Sequence, residues 1–298
     1  MTGKRKIPLN IGLIGLGRWA EESYLPYFCS KPNLFKLVAF SCIVPESDVS
    51  KIRETYHIIN YYDNYQKMIT KEDLDIVVIT TPHCFHYSQV KFALERGVHV
   101  LVDKPPALTK EEVKELSQIA KEKGLTALVF SQRRYWGEYR YIKKVIERGM
   151  LGDLMAIEGT FGQEVFSDFL ESWRSNPLLC GGGILIDSGY HLVDSIIYLS
   201  SQKPLKAIMF ANKGEHKSDA YSSVNLKFSE NLIVSLLVIR GLPKDLAKEE
   251  ISIYGTKGLI NLVRNKEGGK RTVELKHYEM NGRCIRHLTE DIVFADNV

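Results

Sequence analysis

The first 130 residues alternate short apolar runs with helical patterns, and this alternation constrains the fold more than any other feature of the sequence. The runs typical of strands are Leu9 to Ile14, Phe35 to Val44, Asp75 to Thr80, Val98 to Val102 and Thr126 to Phe130. The clearest helix is predicted from Lys110 to Lys123, because Thr109 and Glu112 have capping-box spacing and Gly124 follows. Strand-helix alternation predicts a doubly wound parallel sheet, an α/β Rossmann domain.

After about Gln132 the pattern changes. Helices are predicted from Glu138 to Arg148 and from about Ile184 to Leu199. Five runs typical of strands then follow with no helix between them: Ala207 to Asn212, Ser222 to Phe228, Leu232 to Ile239, Ile251 to Tyr254 and Thr272 to Leu275. Consecutive strands predict a C-terminal α+β domain with a largely antiparallel sheet. We therefore expect a dinucleotide-binding domain at 1–131 and a substrate-binding and oligomerisation domain at 132–298.

Composition excludes several classes of protein. Hydrophobic residues make up 44% and charged residues 26% of the chain, which is typical of soluble globular proteins. The net charge is only +4 and no basic block is present, so nucleic-acid binding is not indicated. The longest apolar run, Leu232 to Ile239, is too short to cross a membrane. Five widely spaced cysteines without a CxxC pair favour a reduced, cytoplasmic protein.

A glycine turn follows the first predicted strand. Gly15 and Gly17, with Ala20, form a G-x-G-x-x-A motif where a helix is expected to begin, around Arg18 and Trp19. The first glycine allows a tight turn, the second lets a pyrophosphate approach the backbone, and the alanine allows close packing. Glycines also end strands for steric reasons alone, but the position between a strand and a helix favours dinucleotide binding, with phosphates at the helix N-terminus.

The sequence leaves the choice between NAD and NADP open. An acid that would bind the ribose is expected at the end of the second strand, where Ser41 and Cys42 stand instead. No Arg or Lys is present there to hold a 2′-phosphate.

Two further stretches follow predicted strands, at the edge where open parallel sheets bind ligands. One contains Thr81 and Pro82, with His86 shortly after; the other contains Asp103 and Lys104. A lysine at this edge can donate a hydrogen bond to the oxygen of an alcohol or ketone. A solvated lysine is the plain alternative.

Three glycines, 181–183, precede a predicted helix that carries Asp187, His191 and Asp194 on one face. Histidine is a natural proton acceptor for alcohol oxidation, and a neighbouring carboxylate can orient it. An ordinary amphipathic helix with a solvated polar face is the alternative, although the glycines before it suggest close approach of a ligand.

Taken in order, these motifs resemble the glucose-fructose oxidoreductase/inositol dehydrogenase/rhizopine-catabolism (Gfo/Idh/MocA) family, whose pattern includes a TP-x-x-x-H run, an E-K-P motif and a GGG-x-x-x-D-x-x-x-H-x-x-D helix. The match covers nearly the whole chain. The resemblance implies an NAD- or NADP-dependent dehydrogenase acting on a sugar, cyclitol or polyol, with Lys104, Asp187 and His191 as catalytic residues. It also implies a cofactor site formed by the glycine turn, the end of the second strand and the two stretches after later strands. Its residues are Gly15, Gly17, Arg18, Trp19, Ala20, Ser41, Cys42, Thr81, Pro82, His86, Asp103 and Lys104.

The chain departs from the family pattern in three places. The acid of E-K-P is Asp103, His83 stands where asparagine often follows TP, and the chain stops at Val298 without the usual closing helix and strand. A natural short form and a C-terminally truncated chain are both open. No zinc spacing includes His83 and His86, so no metal is expected.

Three more residues are predicted to contact substrate from their position: Arg134, Trp173 and Arg174. Apolar residues on both faces of Leu232 to Ile239 predict a homodimer or homotetramer packed sheet to sheet. The competing hypothesis is a non-catalytic nucleotide-binding regulator on the same fold, which would need the glycine turn but none of the three catalytic residues.

Overall fold

The computed structural model describes residues 7–43, 46–58, 60–164, 172–213, 217–228, 231–243, 245–267 and 270–290. The chain divides into two compact units, Met1–Phe130 and Ser131–Val298, called here the N-terminal unit and the C-terminal unit. Among the described helices, none combines the length and the apolar character needed to cross a bilayer.

The N-terminal unit is built on a six-stranded sheet in which every strand pair is parallel. The strands are β1 (Leu9–Ile14), β2 (Phe35–Ser41), β3 (Asn60–Tyr62), β4 (Ile76–Ile79), β5 (His99–Val102) and β6 (Ala127–Val129). Their order, β3-β2-β1-β4-β5-β6, reverses direction beside β1, so the strand order is that of a doubly wound Rossmann sheet. The predicted α/β fold is confirmed.

Within the described part of this unit, five α-helices connect the strands: α1 (Leu25–Ser30), α2 (Glu46–Tyr56), α3 (Tyr65–Lys71), α4 (His86–Glu95) and α5 (Lys110–Lys123). A π-helical turn, Ala20–Tyr24, precedes α1. Helix α5 has the predicted bounds, since the Thr109 hydroxyl and the Glu112 carboxylate form the expected capping box and Gly124 ends the helix in the left-handed conformation.

The C-terminal unit is built on an eight-stranded sheet. Its strands are β7 (Leu154–Glu164), β8 (Lys206–Asn212), β9 (Tyr221–Lys227), β10 (Ile233–Leu242), β11 (Lys248–Gly255), β12 (Gly258–Glu267), β13 (Lys270–Glu279) and β14 (Cys284–Glu290). They lie in the order β14-β13-β12-β11-β7-β10-β9-β8, and β7 and β10 form the one parallel pair among the described strands. The predicted α+β class with a largely antiparallel sheet is confirmed.

Helices cover one face of this sheet. They are α6 (Gly137–Glu147) and α8 (Tyr190–Ser200); a short helix, α7 (Pro177–Cys180), comes between them in sequence, and a π-helical turn, Leu185–Gly189, leads into α8. The core between them is formed by apolar side chains with at most 2% exposure from α6, α8 and β10: Tyr139, Ile142, Leu192, Ile196, Leu199, Val234, Leu236 and Val238. This packing fixes α8, the helix predicted to carry the chemistry, against the centre of the sheet.

The central strand β7 was not predicted, and neither were β3, β12 and β14. β7 contains two glycines, which lower strand propensity. A Cβ on Gly159 would lie 3.0 Å from side-chain atoms of both Leu192 and Leu236, so glycine is needed to let α8 pack on the sheet. Tertiary packing therefore explains a residue that makes the strand hard to recognise in the sequence.

Candidate active site

The glycine turn lies at the carboxyl edge of the parallel sheet. The N–H of Gly15 donates to the Ser41 carbonyl at the end of β2 (2.9 Å), and the Thr80 hydroxyl donates to the Gly15 carbonyl from the end of β4 (2.9 Å). Gly15 has φ +90°, and a Cβ there would lie 2.9 Å from Thr81 Cγ2 and 3.0 Å from the Thr80 carbonyl carbon. Both the backbone conformation and the space therefore require glycine.

Gly17 differs from Gly15, since it lies on the surface and a Cβ there would meet nothing within 4 Å. Open space over bare backbone is what a pyrophosphate needs, so the turn fits a dinucleotide. Arg18 is exposed and pairs with Glu22 (2.6 Å), Trp19 is 37% exposed, and Ala20 is fully buried. Arg18 and Trp19 are thus accessible to a ligand, whereas Ala20 serves packing.

His86 links two loops at the same edge. Its ring is fully buried, with Nδ1 2.6 Å from the Pro105 carbonyl oxygen and Nε2 2.8 Å from the Thr81 carbonyl oxygen. Burial lowers the pKa of His86 below its ordinary value, against the opposite effect of the two carbonyls and of Asp103. Because both nitrogens face backbone oxygens, His86 holds the loops around Thr81-Pro82 and Lys104-Pro105 rather than presenting its ring to a ligand.

Asp103 and Lys104 follow β5 directly. The N–H of Asp103 donates to the Ile79 carbonyl, and the N–H of Lys104 donates to Asp103 Oδ1 (2.8 Å). Lys104 is only 8% exposed, so the alternative of a solvated surface lysine does not fit. Burial raises the pKa of the Tyr24 hydroxyl, and the nearby Asp103 carboxylate adds to this effect.

The end of β2 carries Ser41 and Cys42, which are both buried. Burial raises the pKa of Cys42 to about 11, so its thiol is neutral. The Tyr61 hydroxyl donates to the Cys42 carbonyl (3.2 Å), and the following Ile43 is 98% exposed. No charged side chain among these residues selects between a ribose hydroxyl and a 2′-phosphate.

In the C-terminal unit, Asp219 fixes the turn that follows the three glycines. Its backbone carbonyl accepts from the N–H of Ile184 (2.9 Å), and its Oδ2 accepts from the N–H of Leu185 (3.0 Å) and from the Ser222 hydroxyl (3.1 Å). A Cβ on Gly183 would come within 2.1 Å of the Asp219 carbonyl oxygen. The last glycine of the motif is therefore explained by close approach of this aspartate.

Asp187 lies in the π-helical turn and is 4% exposed. Its Oδ2 is 3.3 Å from Arg174 Nε and 3.6 Å from Arg240 Nη2. Asp194, on α8, is also buried, and Arg134 binds it in bidentate geometry through Nε (2.9 Å) and Nη2 (2.5 Å). The alternative of a helix with a solvated polar face is therefore wrong, because both carboxylates are buried and paired with arginines.

His191 follows one helical turn after Asp187. It is half-buried, its ring lies edge-on to that of Tyr190 with centroids 6.0 Å apart, and its carbonyl accepts from the Ser195 hydroxyl. The Arg174 guanidinium lies 4.3 Å from the Trp173 ring centroid. Asp187, Arg174 and Trp173 are thus assembled locally, while Lys104 belongs to the other unit.

Three residues of this arrangement were not identified from the sequence: Arg240, Asp219 and Gln163. The Gln163 Oε1 accepts from the Ser188 hydroxyl (2.7 Å). Arg240 could have been found, because it shares its side of β10 with the buried Val234, Leu236 and Val238. A buried arginine demands a carboxylate partner. Within the described residues, no cluster of three or more metal-ligating side chains exists.

Comparison with protein families decides the classification. The profile described as "Oxidoreductase family, NAD-binding Rossmann fold" matches residues 9–131, and the profile described as "GFO/IDH/MocA C-terminal domain" matches residues 139–261. The chain belongs to the Gfo/Idh/MocA oxidoreductase family. The family resemblance inferred from the motifs is confirmed. The prediction of a nicotinamide cofactor is confirmed as well, because the profile that matches residues 9–131 describes an NAD-binding Rossmann fold.

Individual relatives agree with this assignment. D-glucoside 3-dehydrogenase from Escherichia coli is 30% identical over 216 residues, covering 71% of this chain and 60% of the relative. Levoglucosan dehydrogenase from Pseudarthrobacter phenanthrenivorans is 30% identical over 199 residues, covering 64% and 51%. The chain spans between about half and three fifths of the length of the curated relatives it matches.

Solved structures of family members have the same fold. The myo-inositol 2-dehydrogenase of Lactobacillus plantarum superposes with a TM-score of 0.75 at 26% identity, covering 85% of this chain and 76% of that one. A levoglucosan dehydrogenase in complex with NADH and levoglucosan gives a TM-score of 0.80 at 24% identity, covering 95% and 79%.

Proposed function

We propose that the chain is an NAD- or NADP-dependent dehydrogenase or reductase that acts on a secondary hydroxyl or ketone of a sugar, cyclitol or related polyol. The observation that carries the proposal is the buried Asp187 carboxylate, held by two arginines, one helical turn before His191. Burying a charge is unfavourable unless it is paired. A regulator that only binds a nucleotide has no need of such a group in its other unit. Relatives named for their action on glucosides, levoglucosan and inositols support the substrate class.

The roles follow from the chemistry of each side chain. His191 takes the proton of the substrate hydroxyl, Asp187 stabilises the charged imidazolium, and Lys104 donates a hydrogen bond to the reacting oxygen. A bound nicotinamide would accept or supply the hydride. Gly15, Gly17, Arg18, Trp19, Ser41, Thr81 and Pro82 would form its binding edge, with Ala20, His86 and Asp103 supporting them. Arg134, Trp173 and Arg174 are proposed to contact substrate; the Arg134 side chain stays 42% exposed although it binds Asp194.

The decisive experiment combines a substrate panel with one variant. Sugars and cyclitols are screened with NAD and with NADP by absorbance of the reduced nicotinamide. On the best substrate, the pH profile of the parent should show a limb near neutrality from His191, and His191→Ala should remove that limb and lower kcat by about 10²- to 10⁴-fold. Cofactor binding without turnover on any substrate would favour the regulator hypothesis. Near-parent rates in His191→Ala would refute the assignment of the base.

We also propose a homodimer or homotetramer in the cytoplasm, formed through the outer face of the eight-stranded sheet. Five apolar side chains on that face, from β8, β9 and β10, are between 41% and 72% exposed: Ile208, Phe210, Tyr221, Ile233 and Leu237. Several exposed apolar side chains on one face of a sheet are typical of an interface. Light scattering at micromolar concentration should give a multiple of the chain mass, and Phe210→Asp with Leu237→Asp should give the monomer. A monomeric parent would contradict the proposal.

A further inference from the structure

Arg240, at the end of β10, contacts Asp187 from the side of the sheet. We infer that Arg240 is a positioning residue that keeps Asp187 a fixed carboxylate anion, so that His191 alone carries the proton during the reaction. The inference rests on the proposed function, in which His191 is the base. It adds a role for Asp187 that excludes proton transfer through its carboxyl group.

The position of Arg240 in β10 directs its side chain toward Asp187. Val234, Leu236, Val238 and Arg240 alternate along the buried side of β10, and the Arg240 side chain is only 3% exposed. The backbone N–H of Arg240 donates to the Ala220 carbonyl (2.7 Å). Directly after Arg240, at Gly241 with φ +106°, the register between β10 and β7 shifts. Such irregularities re-aim side chains next to functional sites.

The charges around Asp187 explain why a buried arginine is tolerated there. Burial lowers the pKa of Arg240, whereas Asp187, Cys180 and Asp219 act in the opposite direction and Arg174 adds to the lowering. Both guanidinium groups therefore lie near the Asp187 carboxylate, and the Asp219 carboxylate adds negative charge that favours the charged form of Arg240. A guanidinium does not lose its proton in proteins, so its charge is present at every pH at which the enzyme works.

The two arginines differ in what they contribute. The Arg174 side chain is 35% exposed, so solvent screens its charge, whereas Arg240 is buried and its charge on Asp187 is screened less. An ionised carboxylate next to His191 favours the imidazolium that forms when the substrate hydroxyl gives up its proton. If Arg240 is removed, Asp187 becomes able to take up a proton in the working pH range, and the reaction then depends on two ionisations.

The test compares Arg240→Met and Arg240→Lys with the parent and with Arg286→Met, an exposed arginine of the same unit that serves as control. The acid limb of the kcat/KM profile should steepen from about one to about two decades per pH unit in Arg240→Met. It should keep the parent slope in Arg240→Lys and in Arg286→Met. A limb in Arg240→Met that is parallel to the parent limb would show a merely structural role and overturn the inference.

A second measurement does not require turnover. In thermal unfolding at pH 8, Arg240→Met should be destabilised, because the buried Asp187 carboxylate then keeps only the partly exposed Arg174 as a partner. Adding Asp187→Asn should restore part of the lost Tm, because that buried charge is then absent. Additive losses of Tm would overturn the pairing. If no sugar or cyclitol is oxidised by the parent, the proposed function fails, but this cycle still decides whether Arg240 is the charge partner of Asp187.

Discussion

The two glycines of the nucleotide turn should respond in opposite ways to an added side chain. Gly17 is exposed and a Cβ there has no neighbour within 4 Å, so Gly17→Val should leave the free protein folded, with a Tm close to that of the parent. The same isopropyl group occupies the space over the backbone that a pyrophosphate would use. We expect the affinity for NADH and NADPH to fall by at least about 100-fold, since direct contact between phosphate and backbone N–H groups is lost.

Gly15→Ala is the matched control. At φ +90° an L-residue is strained by roughly 1–2 kcal/mol, and its Cβ would lie 2.9–3.0 Å from atoms at Thr80 and Thr81. The neighbours in contact are mostly backbone atoms, which cannot move without disturbing the end of β4. We therefore expect a clear loss of Tm, by several degrees for a loss of about 1–2 kcal/mol.

Thermal unfolding without ligand and fluorescence titration with reduced nicotinamide separate the two effects. Gly17→Val should change the titration and leave the unfolding curve in place, whereas Gly15→Ala should lower the Tm even without ligand. Parent-like affinity in Gly17→Val would show that the nucleotide does not lie on this turn. A destabilised Gly17→Val would contradict the expectation that the free protein tolerates a side chain at this position.

Two further predictions concern the edge of the parallel sheet. Lys104→Ala should lower kcat by about 10²- to 10³-fold, the value of one donor to a reacting oxygen, with little change in the Kd for NADH; a change confined to Kd would contradict this role. Burial lowers the pKa of His86 in the folded protein below its ordinary value of 6.5. As the pH falls through 6.5, the His86 imidazole therefore takes up a proton in the unfolded chain but not yet in the folded protein. The Tm should therefore fall from pH 7 to pH 5, and less steeply in His86→Gln; equal slopes would exclude His86 as a cause.

The strand-helix alternation and the capping signals of α5 were sufficient to predict the fold of the N-terminal unit, because local sequence and tertiary structure agree there. Boundaries were less accurate at β2, which ends at Ser41, whereas the predicted end, Val44, lies outside the described residues. In the C-terminal unit, β7 was missed because Gly159 and Gly162 satisfy packing demands from α8 and from Leu242, which no local pattern reveals.

Prediction of the candidate site was limited in a similar way. Residues in contiguous motifs, such as Asp187 and His191, could be named from their spacing. Arg240 and Asp219 come from strands and loops far along the chain, and only the folded sheet brings them to the π-helical turn. His86 was expected near the cofactor, but its two contacts to backbone carbonyls could not be predicted. They depend on the approach of the loops that contain Thr81 and Pro105, which are 5 and 19 residues from His86 in sequence.

The parallel pairing of β7 with β10 also constrains the order in which the chain can fold. Ile157, in β7, pairs with Val234 on one side and with Ile253 on the other, about 80 and 100 residues later. Pairings of such sequence separation form slowly, because a long loop must close before any contact is gained. During synthesis, the N-terminal unit can complete its sheet before β10 and β11, the two neighbours of β7, have been synthesised. We therefore expect the C-terminal unit to depend on chaperones in the cell more than the N-terminal unit does.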